Sequence, residues 1–180
     1  MPDMLLHICC APCLAYTREE LDGMGVEFTG LWYNPNVHPY QEYKKRLETL
    51  RKYASLRPMD IIFRDVYDVG KWLEEALSTE KTGKKRCEFC YRSRLSLVAR
   101  EAKAGGFKRF STTLLFSRHQ DHELLRMVAS EVADAEGIEF FYHDFRDGSK
   151  RSLEICKELD IYRQNYCGCI LSEQERFLVK

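Results

Sequence analysis

Seven of the eight cysteines of this sequence fall into three short groups, and their thiols are the side chains best suited to chemistry. Thiolates ligate metals, exchange disulfides and attack electrophiles. The first two groups together offer at least four soft ligands, enough for a tetrahedral zinc ion or a 4Fe–4S cluster. The groups are "HICCAPC" (Cys9, Cys10, Cys13), "CEFC" (Cys87, Cys90) and "CGC" (Cys167, Cys169).

The adjacent pair Cys9-Cys10 favours an iron–sulfur cluster over zinc. Structural zinc sites use ligand pairs separated by two to four residues, which adjacent cysteines do not match. A cubane has iron at several corners, so neighbouring cysteines can bind different irons. The pair Cys167 and Cys169 allows two interpretations: a strained, reducible disulfide, or ligands of a second metal, with or without Cys13. Spacing alone does not choose between them.

Other polar and thiol side chains are predicted to be structural. Cys156 lies at helical spacing with apolar neighbours, which indicates an ordinary core thiol. His7, on an apolar strand pattern beside the first cysteine group, is interpreted as a hydrogen-bonded core histidine rather than a ligand. Four side chains near the cysteine groups are candidate proton donors, although each taken singly is predicted to be structural: Tyr162, Tyr166, His119 and Asp144.

Apolar runs alternate with helical patterns along the chain, which is typical of a mostly parallel sheet covered on both faces. The patterns predict strands at 4–8, 26–34, 59–66, 107–115 and 138–145. They predict helices at 12–22, 39–57, around 72–77, 87–104, 121–136 and 151–160, with a basic loop at 79–86. The sequence therefore predicts a doubly wound α/β fold with a five-stranded sheet.

The first two cysteine groups have a special place in such a fold. "CCAPC" directly follows the first strand, and "CEFC" is predicted to open a helix, where the positive helix end favours thiolates. Ligands of doubly wound folds gather at the carboxyl ends of strands, near the switch in strand order. We expect a single metalloenzyme domain over residues 1–180, whose tail, 161–180, packs back on the cysteine site.

Composition limits the partners and the compartment. Lys and Arg together number 28, equal to Asp and Glu, so net charge gives no general argument for nucleic acid or membrane. The first residues lack the pattern of a signal peptide, and no apolar run reaches the ~20 residues of a membrane span. We therefore expect a cytoplasmic protein without a membrane partner. Eight cysteines in that compartment indicate metal or redox chemistry.

A basic segment surrounds the second cysteine group. "KKRCEFCYRSR" carries one acidic residue among its cations, although the whole chain is neutral. Such runs are commonly solvated helix faces, but adjacency to the cysteines favours an RNA-binding patch. The residues predicted to contact RNA are Lys84, Lys85, Arg86, Arg92 and Arg94.

The ordered set of motifs "HICCAPC", "CEFCYRSRL", "GFKRFSTTLL", "DFRDG" and "YRQNYCGC" resembles the epoxyqueuosine reductase QueH family over nearly the whole chain. The resemblance implies the last step of queuosine synthesis, the reductive removal of the epoxide oxygen from epoxyqueuosine in the tRNA anticodon loop. It implies an oxidoreductase that uses a 4Fe–4S cluster, an external electron donor and no cobalamin. The fold also resembles the adenine-nucleotide α-hydrolase (HUP-like) group, whose phosphate loop is replaced here by "CCAPC".

The resemblance also implies roles for individual cysteines. Its cluster ligands correspond to Cys9, Cys10, Cys87 and Cys90. Its redox-active, catalytic pair corresponds to Cys167 and Cys169. Cys13 completes the first motif, as a catalytic residue or a ligand, with Cys167 and Cys169, of a second mononuclear iron. One departure concerns the loop after the fourth strand, where "FSRHQ" places Arg118 and His119 instead of a Ser-Pro pair.

Two other functions remain open. An iron–sulfur-dependent tRNA thiolation enzyme on a related fold would be a transferase and would need ATP. The missing phosphate loop argues against it. A non-catalytic, zinc-stabilised RNA-binding module would be colourless, with zinc and no labile sulfide.

Overall fold

A computed structural model describes residues 2–78 and 83–178. Its centre is an all-parallel, five-stranded sheet with the strand order β3-β2-β1-β4-β5. The strands are β1 (Met4–Ile8), β2 (Phe28–Trp32), β3 (Ile61–Phe63), β4 (Arg109–Thr112) and β5 (Glu139–Phe140). The order reverses between β1 and β4, so the predicted doubly wound fold is confirmed.

Helices cover both faces of this sheet. The helices are α1 (Ala11–Gly23), α2 (Tyr40–Leu56), α3 (Val69–Ser78), α4 (Gly83–Ala104), α5 (His122–Glu136), α6 (Ser149–Glu158) and α7 (Ile170–Phe177). On one face α1 packs against α2 and α6, and on the other α4 packs against α3 and α5. No helix within the described residues has the length and apolarity needed to cross a bilayer.

The central strand β1 lies in the middle of the hydrophobic core. All five of its residues are buried, because it has a strand on each side and helices above and below. His7 is satisfied there: its Nδ1 lies 2.8 Å from Thr112 Oγ1 and its Nε2 lies 3.1 Å from the carbonyl oxygen of Tyr33. Cys156 is 2% exposed within the same core. The structural interpretations of His7 and Cys156 are confirmed.

Two predicted boundaries next to the cysteine groups were wrong, and one helix was not predicted. The strand predicted at 107–115 ends at Thr112, where Thr112 Oγ1 accepts the N–H of Leu114 and starts a 3-10 turn over Thr113–Phe116. Helix α4 begins at Gly83, so Cys87 and Cys90 lie beyond its first turn rather than at its start. The remainder of the predicted basic loop, residues 79–82, lies outside the described residues. Helix α7 was not predicted, because its eight residues bury no side chain against the core.

His38, in the loop after β2, makes folding sensitive to acid. It is 1% exposed, and neither ring nitrogen has a hydrogen-bond partner among the described residues. Burial lowers the pKa of His38 to about 4, below its ordinary value of 6.5 in the unfolded chain. Because the unfolded state then binds the proton more readily, the stability contribution is complete above pH 6.5 and is lost as pH falls towards 4.

We therefore expect the unfolding free energy of the metal-free protein to fall between pH 6.5 and pH 4.5 by up to about 1.4 kcal/mol per pH unit from this group. A His38→Phe variant should have a flatter profile, measured by urea unfolding at several pH values. Equal slopes for the two proteins would contradict this assignment.

Candidate metal centre

The first cysteine group lies at the topological switch of the sheet. Strand β1 ends at Ile8, and Cys10 is already the N-cap residue of α1, with Pro12 in the first turn. Proline fits there because the first helical N–H groups have no intrahelical partner. The chain therefore turns sharply at Cys9 and Cys10, at the edge of the sheet where doubly wound folds bind ligands.

Three thiols converge at this turn. Cys10 Sγ lies 3.0 Å from Cys13 Sγ and 3.7 Å from Cys9 Sγ, and all three sulfurs lie within 4.8 Å of one another. Cys13 joins the others because it lies one helical turn after Cys10 on α1. Thr113, just after β4, donates its hydroxyl to Cys9 Sγ (3.2 Å). This buried set of soft donors can hold a metal ion.

Cys10 is the thiol of this group that ionises most readily. Burial acts to raise its pKa, but hydrogen bonds from Cys13 and Cys9 and the nearby charge of Arg46 lower it well below its usual range. Gln164, in the tail, donates its Nε2–H to Cys10 Sγ over 2.8 Å. The hydrogen bond to Cys10 raises the pKa values of both Cys9 and Cys13. The structure thus favours one thiolate flanked by two thiols.

The tail brings a second pair of thiols towards the CxxC of α4. Cys169 packs in an apolar cluster with Cys90 and Trp72, and Cys167 borders the same cluster. A hydrogen bond from Cys169, helped by Ser172, lowers the pKa of Cys167 to about 5. All eight cysteines are free thiols in this structure.

Arg94 lies between the cysteine groups. It is 4% exposed, and its guanidinium donates from Nε to the carbonyl oxygen of Cys90 (2.9 Å) and from Nη2 to Cys90 Sγ (3.5 Å). Burial acts to lower its pKa, but the sulfurs of Cys90, Cys9 and Cys167 raise it. Among the described residues no carboxylate pairs with Arg94. A buried cation is stabilised by a nearby counter-charge, and of these three sulfurs only that of Cys167 has a lowered pKa, whereas burial raises the pKa of Cys90 to about 11.

A continuous groove opens over the cysteines. Its middle section is lined by Cys9, Cys13, Arg46 and Cys167, and shares His119 with the sections on either side. One end, a cavity of about 260 Å³, reaches Cys87 and Arg176. The other, about 180 Å³, reaches Arg118 and Arg163. Thiols from all three cysteine groups therefore border this groove, and its middle section is the smallest, about 60 Å³.

Comparison with known proteins identifies the family. Residues 4–175 match the family described as epoxyqueuosine reductase QueH. The chain belongs to that family. Relatives named epoxyqueuosine reductase QueH include one from Dehalococcoides mccartyi, 38% identical over 98% of this chain and 95% of the relative. Another, from Thermotoga maritima, is 35% identical over 98% of this chain and 93% of the relative.

A solved structure supports the fold of this QueH family member. It is described as a predicted subunit of a tRNA methyltransferase from Methanocaldococcus jannaschii, and it superposes with a TM-score of 0.55. The match covers 86% of this chain and 75% of the other at 15% identity. At that identity the similarity concerns the fold alone.

The assignment of Cys9, Cys10, Cys87 and Cys90 of this QueH family member to one cluster stays a prediction, and in the structure these cysteines have different nearest neighbours. Cys9 and Cys10, expected to ligate a cluster with Cys87 and Cys90, lie closest to Cys13. Cys90 lies beside Cys169, and Cys87 lines the groove with Cys167. The spacing of cysteines in the sequence could not reveal these neighbours, because sulfurs distant in sequence meet only through the packing of α4 and the tail.

Only some residues of the predicted RNA-binding patch are exposed at the protein surface. The expectation that Arg94 faces RNA was wrong, because this residue is buried against Cys90. Arg86 is 9% exposed and paired with Glu175, and Arg92 is paired with Glu88 and Glu131. Lys85 is exposed, and the side chain of Lys84 lies outside the described part of the structure.

Sequence reasoning missed four residues that contact the site. Arg46, Thr113 and Gln164 approach the first cysteine group, and Arg163 lines the groove. Thr113 could have been found, because it follows the strand that neighbours β1. Of the candidate proton donors, Tyr162 and Tyr166 donate to protein oxygens and Asp144 pairs with Arg146, whereas His119 lines the groove.

Proposed function

We propose that this protein reduces epoxyqueuosine in the anticodon loop of tRNA to queuosine. The reaction takes two electrons and two protons, breaks both carbon–oxygen bonds of the epoxide, forms a carbon–carbon double bond and releases water. The observation that carries the proposal is the buried Arg94, which has sulfur neighbours and no acidic partner among the described residues. This arrangement suits an anionic, thiolate-ligated redox centre.

The proposed ligands of a 4Fe–4S cluster are Cys9, Cys10, Cys87 and Cys90. Their chemistry fits, because the ligands of such clusters are cysteine thiolates and N–H donors to the sulfurs tune the potential. When bound, the cluster supplies single electrons to the substrate. A second iron at Cys13, Cys167 and Cys169, or a reversible Cys167–Cys169 disulfide, would account for the remaining thiols.

The groove is the proposed binding site for the modified nucleoside. Its thiol-lined middle section lies between sections bordered by cations, which suits a base held beside the cysteines with its phosphates outside. The cations are Arg118 and Arg163 at one end and Arg176 at the other. Lys84, Lys85, Arg86 and Arg92 would extend this contact along α4. Arg118 and His119 replace the Ser-Pro pair of the family pattern, so RNA contacts made by these two residues would be specific to this chain.

Cobalamin independence, localisation and the route of the electron donor are further parts of the proposal. The family resemblance implies that the reaction uses no cobalamin. A reduced thiol set is typical of the cytoplasm, which also contains tRNA. The electron donor would approach the sulfurs through the groove or through the exposed edge of α7.

His119 is the proposed proton donor to the epoxide oxygen. It lines all three sections of the groove, and imidazole side chains commonly act as general acids in enzymes. A His119→Gln variant should retain its iron and its affinity for tRNA but lose about 10²-fold in kcat. This is measured by steady-state kinetics with reduced protein, and Arg118→Gln, which removes a groove cation, should instead raise KM for tRNA with little change in kcat. Unchanged kcat in His119→Gln would remove this residue from the reaction.

The function is tested by incubating anaerobically reconstituted protein with epoxyqueuosine-tRNA and dithionite, without ATP. Queuosine formation, followed by mass spectrometry of the released nucleosides, is expected. Turnover that required ATP and added sulfur would instead indicate a thiolation enzyme. A colourless protein with stoichiometric zinc that resists reconstitution would indicate a structural RNA-binding module.

A further inference from the structure

Arg46, on α2, contacts the cysteine-bearing turn of the tail from inside the protein. Its side chain is 2% exposed. Nη1 donates to the carbonyl oxygen of Cys167 (2.9 Å) and Nη2 donates to that of Tyr166 (3.1 Å). Nε donates to Glu42 Oε1 over 2.6 Å. All three guanidinium nitrogens of Arg46 therefore donate hydrogen bonds, two to backbone carbonyl groups of the tail and one to a carboxylate on the same helix.

The partner of Arg46 makes a second contact with the tail. Glu42 Oε2 accepts a hydrogen bond from the hydroxyl of Tyr162 over 2.9 Å. The pair Arg46–Glu42 therefore holds the tail both before the turn and within it. Helix α7, which follows the turn, buries no side chain. The contacts at Arg46 therefore add to the packing of Cys169 beside Cys90 and Trp72 and to the ion pair between Arg86 and Glu175.

The turn is shaped to fit Arg46 closely. Gly168 has φ of +134°, a conformation that other residues rarely adopt, and its carbonyl oxygen accepts the N–H of His38. A Cβ atom at this position would lie 2.9 Å from Arg46 Nη1 and 3.0 Å from Val37 Cγ2. Only glycine lets the backbone approach the guanidinium this closely. The close approach brings Cys167 to the groove section that also contains Cys9 and Cys13.

We propose that Arg46 is a positioning residue that holds the Cys167–Gly168–Cys169 turn over the first cysteine group. It acts on the two thiols through the backbone carbonyl groups of Tyr166 and Cys167, although its side chain also borders the middle section of the groove. Lysine cannot replace it, because an ammonium group does not present two parallel N–H donors in a plane. The redox role of Cys167 and Cys169 rests on the proposed function, whereas the positioning of these two thiols by Arg46 does not.

The position is tested by thiol alkylation of the full-length, metal-free, reduced protein. Iodoacetamide labelling of each cysteine is followed over time by mass spectrometry. Arg46→Lys keeps the charge beside Glu42 but loses the fork, so Cys167 should react at least ~5-fold faster than in the wild type, through local opening of the turn. Buried Cys156 should react at the same rate in both. Arg51→Lys, an exposed ion-pair residue on the same helix, is the matched control and should change neither rate.

A second variant, Gly168→Ala, changes the tail side of the contact between Arg46 and the Cys167–Gly168–Cys169 turn. Gly168→Ala should also accelerate alkylation of Cys167, and should do so even if Arg46→Lys fails to fold. The two changes should not add when combined, because each breaks the same contact. Equal Cys167 rates in wild type, Arg46→Lys and Gly168→Ala, or fully additive effects, would overturn the proposal.

Kinetics separate positioning from general loss of structure. Arg46→Lys should lower kcat about tenfold while KM for tRNA stays within about twofold, because the groove entrance is unchanged. A rise in KM with unchanged kcat would overturn the positioning role. If alkylation changes as expected but the wild type forms no queuosine, the positioning stands and the proposed function fails.

Discussion

Cys10→Ser is expected to abolish the iron–sulfur chromophore and to reduce queuosine formation at least ~10³-fold, a loss of about 4 kcal/mol of transition-state stabilisation. Cys10 is the most readily ionised sulfur of its group, and serine oxygen is too hard to replace a thiolate on iron. Visible absorption, with iron and acid-labile sulfide content, measures the first effect. Nucleoside mass spectrometry measures the second.

Cys156→Ser is the matched control for that experiment. Cys156 is as buried as Cys10, yet it lies in the apolar core outside the cysteine groups. It should retain the chromophore and the activity, with some loss of stability. Iron content in Cys10→Ser equal to that in the control would contradict the assignment of Cys10 as a ligand.

Arg94→Met is expected to have opposite effects on the metal-free and the cluster-loaded protein. Without metal, the variant loses a buried cation that has no acidic partner among the described residues, so unfolding free energy should stay the same or rise. With the cluster, the variant leaves an anionic centre without its counter-charge. We expect cluster retention to fall by at least ~10²-fold, about 3 kcal/mol, as for removal of one partner of a buried ion pair.

The comparison requires two measurements on each protein. Urea unfolding reports the metal-free state, and the rate of iron loss to a chelator reports the loaded state. Arg94→Lys keeps the charge and should retain the cluster better than Arg94→Met. A Met variant that is strongly destabilised without metal but keeps its iron would show that Arg94 serves the fold rather than the cluster.

The sequence patterns predicted the fold and the position of the site well, because local rules determine both. The apolar run at 4–8 is a fully buried strand, and "CCAPC" follows it at the switch between β1 and β4. His7 and Cys156 were predicted from apolar surroundings that the structure confirms. These features depend on residues close in sequence.

Several residues that contact the thiols are distant from them in the sequence, so hydrophobic and charge patterns could not predict these contacts. Arg94 was expected to contact RNA because its basic segment adjoins two cysteines, but it lies one helical turn after Cys90 and donates to the Cys90 sulfur. Arg46 lies on α2, and its contact with the carbonyl oxygen of Cys167 joins residues 121 positions apart in the sequence. Only the packing of the tail on α2 brings these groups together.

The central claim is that electrons stored in this cysteine site reduce the epoxide, and a single-turnover experiment tests it most directly. Reconstituted protein is reduced, freed of reductant by anaerobic gel filtration and mixed with epoxyqueuosine-tRNA without ATP. The account predicts queuosine, with one oxygen atom lost from the nucleoside, in an amount no greater than half the stored electrons. Iron-loaded, reduced protein that leaves the epoxide unchanged would contradict it.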